Sequence, residues 1–214
     1  MGCNPGCVSA LPGLGSGEQA PAVRTAAESV RIVPVSDSRD MRRFIRVPWS
    51  VYADDPTWVP HLLLERREQF SPRNPYFAHA RCCFWLAYRG TRPVGRISAQ
   101  IDELHQGRYR DATGFFGFLE AENEAGTFHE LLSTAEVWLR DQGMLRIRGP
   151  FNFSINQECG LLVDGYDTPP MIMMGHSRPY YAARLTAEGY QGVKDLLAYR
   201  LSTHFTPPEF MKAV

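Results

Sequence analysis

The sequence predicts an α/β (α+β) fold, and three observations predict it. Arg81–Tyr88 and Val94–Ile101 are apolar, aromatic-rich runs separated by the turn signal "RGTRP", the pattern of a β-hairpin. Phe128, Leu131, Leu132, Ala135, Trp138 and Leu139 recur at helical spacing on one face. Strand-like and helix-like segments then alternate along the chain, in the order β-α-α-β-β-β-α-β, an irregular insert, α-β.

Residues 1–30 hold eight Gly or Pro and little apolar periodicity, which predicts a disordered leader. Order begins with a strand at Arg31–Val35. Asp37 or Ser38 caps a helix through Met41, Phe44, Ile45 and Val47, and Pro48 stops or kinks it. "WSVYADDPTWVPHLLLERREQF" gives an aromatic loop and a short helix near 60–70, and "SPRNPYF" is a further loop. After the hairpin, "QIDELHQGRYRDAT" reads as a polar loop and Gly114–Glu120 as a strand. Thr127 and Glu130 fit a capping box, and Gly143 ends that helix at its C′ position. Leu145–Arg148 is the next strand. A long segment of turns follows, then a helix over 179–188 closed by Gly189, and a last strand at Lys194–Leu201.

The 214 residues carry a formal net charge of +0, so no whole-chain bias points to nucleic acid or anionic membrane. Of 23 basic residues only Lys194 and Lys212 are lysines, which fits a GC-rich genome as well as any function. Five cysteines at irregular spacing make no disulfide framework and favour a reduced, cytoplasmic compartment. Adjacent Cys82 and Cys83 point to opposite faces of a strand, and Cys3 and Cys7 have no second ligand pair, so no metal site is expected. No stretch reaches the ~20 apolar residues of a membrane span. The N-terminus has no secretory-signal pattern, and Gly6 stands where a myristoylation motif needs Ser or Thr.

Val94-Gly95-Arg96-Ile97, Phe115–Leu119, the helix from Thr127, and Tyr181, Leu185 and Gly189-Tyr190 together resemble the Gcn5-related N-acetyltransferase (GNAT) superfamily over about residues 31–201. Val94–Ile97 resembles the start of its fourth strand, and Phe115–Leu119 the strand that flanks the cofactor. "RFIRVPWSVYADDPTWVP", "GPFNFSINQECGLLVDGYDTPPMIMM" and "PYYAARLTAEGY" resemble more closely a bacterial GNAT-like family related to bacterial ceramide synthase. That resemblance implies a mixed central sheet with flanking helices and acetyl-CoA or a longer acyl-CoA as co-substrate. It implies a small-molecule or lipid amine acceptor, with peripheral membrane contact if the acceptor is a lipid, and no nucleic acid. It also implies that residues 202–214 begin a truncated C-terminal segment. Some relatives carry a label of dATP pyrophosphohydrolase. The clustered glutamates such chemistry needs for Mg²⁺ are missing, "ERRE" at 65–68 being too short.

The resemblance places cofactor contacts at Phe116, Gly117 and Phe118, and at Asn152 or Asn156 after the following strand. Glu158 is a plausible general base, and Tyr181 aligns with a tyrosine that can protonate the leaving thiolate. The polar run "NFSINQECG" between apolar segments either lines a pocket or satisfies turn backbone. Cys159 has no histidine placed by sequence to activate it, and His176 reads as solvent-exposed. Met171, Met173 and Met174 read as core filler or as an adaptable acyl-chain surface, the latter joined by Trp49, Tyr52 and Trp58.

The turn before the 127 helix departs from the superfamily. GNATs hold a pyrophosphate there with a glycine-rich, basic loop at a helix N-terminus. Here the turn is "EAENEAG", and Glu120, Glu122 and Glu124 are expected to repel it, leaving Arg96, Arg146 or Arg148 to hold phosphate elsewhere. Two readings therefore stand: an acyl-CoA-dependent N-acyltransferase, and a catalytically degenerate GNAT-like binding or scaffolding module.

Overall fold

A computed structural model describes residues 29–199. The expected leader, apart from its last two residues, and the segment 202–214 lie outside the described residues. A five-stranded sheet runs in the order β1 (Val30–Pro34), β2 (Ala80–Arg89), β3 (Arg92–Asp102), β4 (Thr113–Ala121), β5 (Arg146–Arg148). The first three pairings are antiparallel and β4–β5 is parallel, so the sheet is mixed. Val94–Ile97 therefore lies in the third strand of this sheet, and Phe115–Leu119 in the fourth.

Helices cover both faces, because β2 and β3 alternate apolar residues to either side. Trp85, Ala87, Val94, Ile97 and Ala99 pack under α4 (Ala125–Asp141) and α5 (Tyr180–Ala187), with Phe128, Leu131, Leu132 and Leu139 above them. Phe84, Leu86 and Tyr88 face α1 (Ser38–Val51) and α2 (Leu63–Gln69), against Phe44, Val47, Val51 and Phe70. Cys82 and Cys83 are split between the two layers in the same way.

Five local expectations are revised. The segment after β3 is not a loop throughout: Asp102 accepts from the Leu104 amide and caps α3 (Glu103–Tyr109). "SPRNPYF" contains a 3₁₀ turn, Pro75–Ala78, capped by Asn74. The capping box does not form: α4 begins at Ala125 with Glu124 at its N-cap, and the Thr127 hydroxyl turns to the Glu124 carboxylate. Pro48 does not stop α1, which runs on to Val51. Lys194–Tyr199, the described part of the expected last strand, has no regular structure; β5 offers only three residues to pair with, and Val193, Leu196, Leu197 and Tyr199 remain exposed. Gly143 and Gly189 do close their helices, each with φ above +80°.

Candidate active site

The site begins with an irregularity in β4. Phe118 has φ +48°, and the register with β3 shifts between Arg96 and Ser98, the signature of a β-bulge. The bulge reverses the alternation. Phe116 packs under α4, yet Phe118 packs on the opposite layer, while Leu119 and Ala121 return to the first. Glu120 is thereby aimed at the α1 side of the sheet instead of at solvent beside α4.

There its carboxylate meets two phenols. Tyr52, at the C-cap of α1, donates to Glu120 Oε2 at 2.6 Å, and Tyr181 on α5 donates to the same oxygen at 2.8 Å. Arg96 Nη2 lies 3.7 Å from Oε1. Burial dominates the protonation of the group: it raises the Glu120 pKa despite Arg96 and both hydroxyls, and lowers that of Arg96 to about 10. Burial likewise keeps both phenols protonated, well above the ordinary tyrosine value.

Beyond Phe115, β4 and β5 cease to pair as strands, and one main-chain bond followed by side chains takes over the edge. Phe151 N–H donates to Phe116 O (2.7 Å), and Asn152 Oδ1 accepts from Phe118 N–H (2.7 Å). Tyr180 and Tyr181 engage the carbonyl and amide of Ala121. The strap 150–160 that supplies Asn152 folds back on itself, Asn152 N–H to Glu158 O and Gly160 N–H to Pro150 O. Phe153 anchors it among Phe70, Tyr76, Phe84 and Phe118.

Glu158 turns inward from this strap. It accepts from Asn152 Nδ2 at 2.8 Å and is ion-paired with Arg66 of α2. Burial raises its pKa, but the charge of Arg66 and the hydrogen bonds from Arg66 and Asn152 outweigh that and hold it below the usual carboxylate value. Arg66 also donates to His61 Nδ1 (2.8 Å); burial and that guanidinium lower the His61 pKa to about 4, so the ring is neutral. On the far wall, His176 Nε2 lies 2.9 Å from Asp55 Oδ2, while its Nδ1 is buried without a hydrogen-bond partner among the described residues. His176 is only 5% exposed at its side chain, which corrects the solvent-exposed reading.

Of the residues expected from sequence, Glu158, Tyr181, Asn152 and Phe118 line one cavity, with Tyr52, His61, Arg96, Glu120 and His176. Phe116 has its side chain in the core below α4. Gly117 lies directly under the strap, where a Cβ would sit 1.8 Å from Phe151 O. Asn156 is on the exposed turn of the strap, away from the cavity, and Cys159 bonds only weakly to Ile155 O (3.9 Å).

The acidic turn is also different from its sequence reading. Glu120 points into the cavity. Glu122 is bound by Arg92 and Arg89, Glu124 by Arg89, and Arg184 donates to Asn123. Two half-buried carboxylates are thus paired with two guanidiniums, and Arg184 adds a third positive charge beside the turn. Arg96 is 4% exposed and committed to Glu120, so it is not a phosphate holder. Met171, Ile172, Met173 and Met174 are exposed and are not core filler.

The sequence reading missed Asp55, His61 and Arg66, and gave Arg96 and Glu120 other roles, as a phosphate holder and as part of a repulsive turn. The five come from β3, β4, the loop between α1 and α2, and α2, and reach the site by long-range packing. The available signal, for two of them, was a single charged residue set in an apolar strand: Arg96 in "VGRISAQI" and Glu120 after "FFGFL".

No family model matches the chain. It is 45% identical over 174 residues to Protein YghO of Escherichia coli K12, which covers 80% of this chain and 45% of that protein. It is 44% identical over 183 residues to the bacterial ceramide synthase of Caulobacter vibrioides, 83% of this chain and 47% of that protein. The chain spans about half the length of the curated relatives it matches. Among solved structures, a predicted acetyltransferase with acetyl-CoA from Clostridium acetobutylicum aligns with a TM-score of 0.50 at 11% identity, covering 80% of this chain and 96% of that one. The fold is therefore that of the GNAT acetyltransferases, and over most of its length the chain is a sequence relative of bacterial ceramide synthase.

Proposed function

We propose that the chain is an acyl-CoA-dependent N-acyltransferase domain that acylates a primary amine. The observation that carries this reading is the opened edge of β4. Between Phe118 and Ala121 its backbone is met by side chains instead of by a strand, at the wall of a cavity lined with titratable groups. Such an edge can exchange its hydrogen bonds for those of a ligand without breaking the sheet.

The residues fit an acyl-CoA. The arginine-balanced turn and the first amides of α4 suit the phosphates, and Phe118 N–H, released by Asn152, suits a carbonyl oxygen. A bound acyl-CoA would supply the activated acyl group. Tyr181, fully protonated beside Glu120, suits the protonation of a leaving sulfur. Glu158 is fixed by Arg66 and Asn152 and suits the positioning of the strap more than proton abstraction. The cavity itself measures about 40 Å³, so a substrate enters by displacing the strap.

A long-chain amine is the acceptor we favour, and with it peripheral membrane contact and a cytoplasmic location. The exposed run Met171–Met174 leads directly into Gly175 and His176 of the cavity wall, and Trp58 stacks on Tyr52 at the same wall. The name of the Caulobacter relative supports a lipid acceptor too.

Calorimetric titration with CoA, acetyl-CoA and palmitoyl-CoA, followed by amide formation with sphinganine, tests the reading. Micromolar binding and amide product are expected. No binding up to millimolar ligand would overturn it and leave the catalytically degenerate binding or scaffolding module.

A further inference from the structure

We infer that His176, oriented by Asp55, is the general base that takes the proton from the attacking amine. This rests on the acyltransferase reading above and adds a group that reading does not use. The Asp55–His176 contact bridges two segments 121 residues apart, and both are held from outside. Thr57 donates to Asp55 Oδ1 through its amide and hydroxyl, and Arg178, anchored on Val51 O, lies 3.6 Å from Oδ2. An ionised Asp55 accepts from Nε2–H, so neutral His176 carries its lone pair on Nδ1. That nitrogen is enclosed and without a hydrogen-bond partner among the described residues, on a side chain that lines the cavity beside Glu120 and Tyr181. The competing acceptors are engaged: Glu120 takes two phenol hydrogens, Glu158 takes Arg66 and Asn152, and His61 Nδ1 takes Arg66.

In the step assigned, the amine lone pair forms the C–N bond and the amine proton passes to His176 Nδ1. The C–S bond breaks with its electron pair on sulfur, and sulfur takes the Tyr181 proton. One proton lost from the imidazolium to water and one regained by the phenolate restore both groups. Asp55 is a positioning residue: it fixes the tautomer and does not touch the substrate.

Two measurements on the full chain test this. The ¹⁵N spectrum of histidine-labelled protein at pH 8, without ligand, should show His176 with hydrogen on Nε2 and a bare Nδ1, and Asp55→Asn should scramble that pattern. A His176 found as the Nδ1–H tautomer in the wild type overturns the inference whether or not the protein turns over. With palmitoyl-CoA and sphinganine, His176→Ala should lose about 100-fold or more in kcat, keep its palmitoyl-CoA affinity and regain activity with added imidazole. His176→Gln, of similar size, serves if the alanine variant does not fold. Either variant within threefold of wild type overturns the base assignment while leaving the acyltransferase reading standing. Failure of wild type to bind acyl-CoA sinks that reading instead.

Discussion

Arg96 Nη1 lies 2.9 Å from the carbonyl oxygen of Phe44, where it makes the hydrogen bond that Pro48 cannot. In an uninterrupted helix the amide of residue 48 would bond Phe44 O. Proline has no N–H, and a helix normally breaks there. Here the buried guanidinium replaces the donor and stacks on the Phe44 ring, so α1 continues to Val51 and delivers Tyr52 to the cavity. One arginine thus serves both the helix and Glu120.

Arg96→Met should therefore cost about 3–5 kcal/mol of stability in urea unfolding, because it strands Glu120 and leaves Phe44 O unpaired. Adding Glu120→Gln should recover part of that loss. A double-mutant cycle with no coupling between the two positions would refute the shared role.

Gly117→Ala should be among the worst small substitutions in the sheet. Its Cβ would lie 1.8 Å from Phe151 O, a main-chain atom of the closed strap that also accepts from Gln100 Nε2, so the strap would have to shift to admit it. A loss of about 1–3 kcal/mol, with weakened acyl-CoA binding, is expected. Gly126→Ala, in α4 with open space around it, should instead gain up to about 1 kcal/mol. Thermal unfolding of the two variants side by side checks both signs.

Acid should act on Asp55. Burial raises its pKa, but hydrogen bonds from His176 and Thr57 prevail and lower it from 3.8 to about 2. The stabilisation is present above pH 3.8 and is lost as pH falls through the folded value. The difference corresponds to about 2 kcal/mol. Asp55→Asn should forfeit about that much at pH 6 and flatten the stability profile between pH 4 and 2.

His129 and Glu188 tie α4 to α5 at 2.9 Å. The Glu188 carboxylate raises the His129 pKa above 6.5, so this contribution is complete below pH 6.5 and disappears as pH rises through the folded value. With His129 61% exposed, solvent screens the pair to a few tenths of a kcal/mol. His129→Gln should differ from wild type at pH 5.5 in low salt, and match it at pH 9 or in 1 M NaCl.

The local pattern of the chain was readable where one face decides a segment. The β2–β3 hairpin and the apolar stripe of α4 follow from periodicities of two and 3.6, and both stand where the sequence puts them. Three features were not readable because a distant partner decides them. Pro48 is tolerated only through Arg96, 48 positions later. Arg89 accommodates Glu122 and Glu124, which otherwise read as a repulsive turn. The bulge at Phe118 requires a positive φ at a phenylalanine, and that single residue turns Glu120 from a surface acid into the centre of the cavity. His176 read as exposed for the same reason: Asp55, which holds it, lies in another loop.

The meeting of Tyr52 and Tyr181 on one oxygen of Glu120 also dictates an order of assembly. Glu120 is separated from its two donors by 68 and 61 residues, and they arrive from opposite ends of the domain. The hairpin and its neighbours can form early from local contacts, whereas closing these two long loops comes late. Until α5 settles, Glu120 has Tyr52 and Arg96 but lacks Tyr181, one of its three partners. A nascent chain that ends at β5 holds Tyr52, Arg96 and Glu120 but neither His176 nor Tyr181, so the cavity stays unfinished until the segment through α5 has been made.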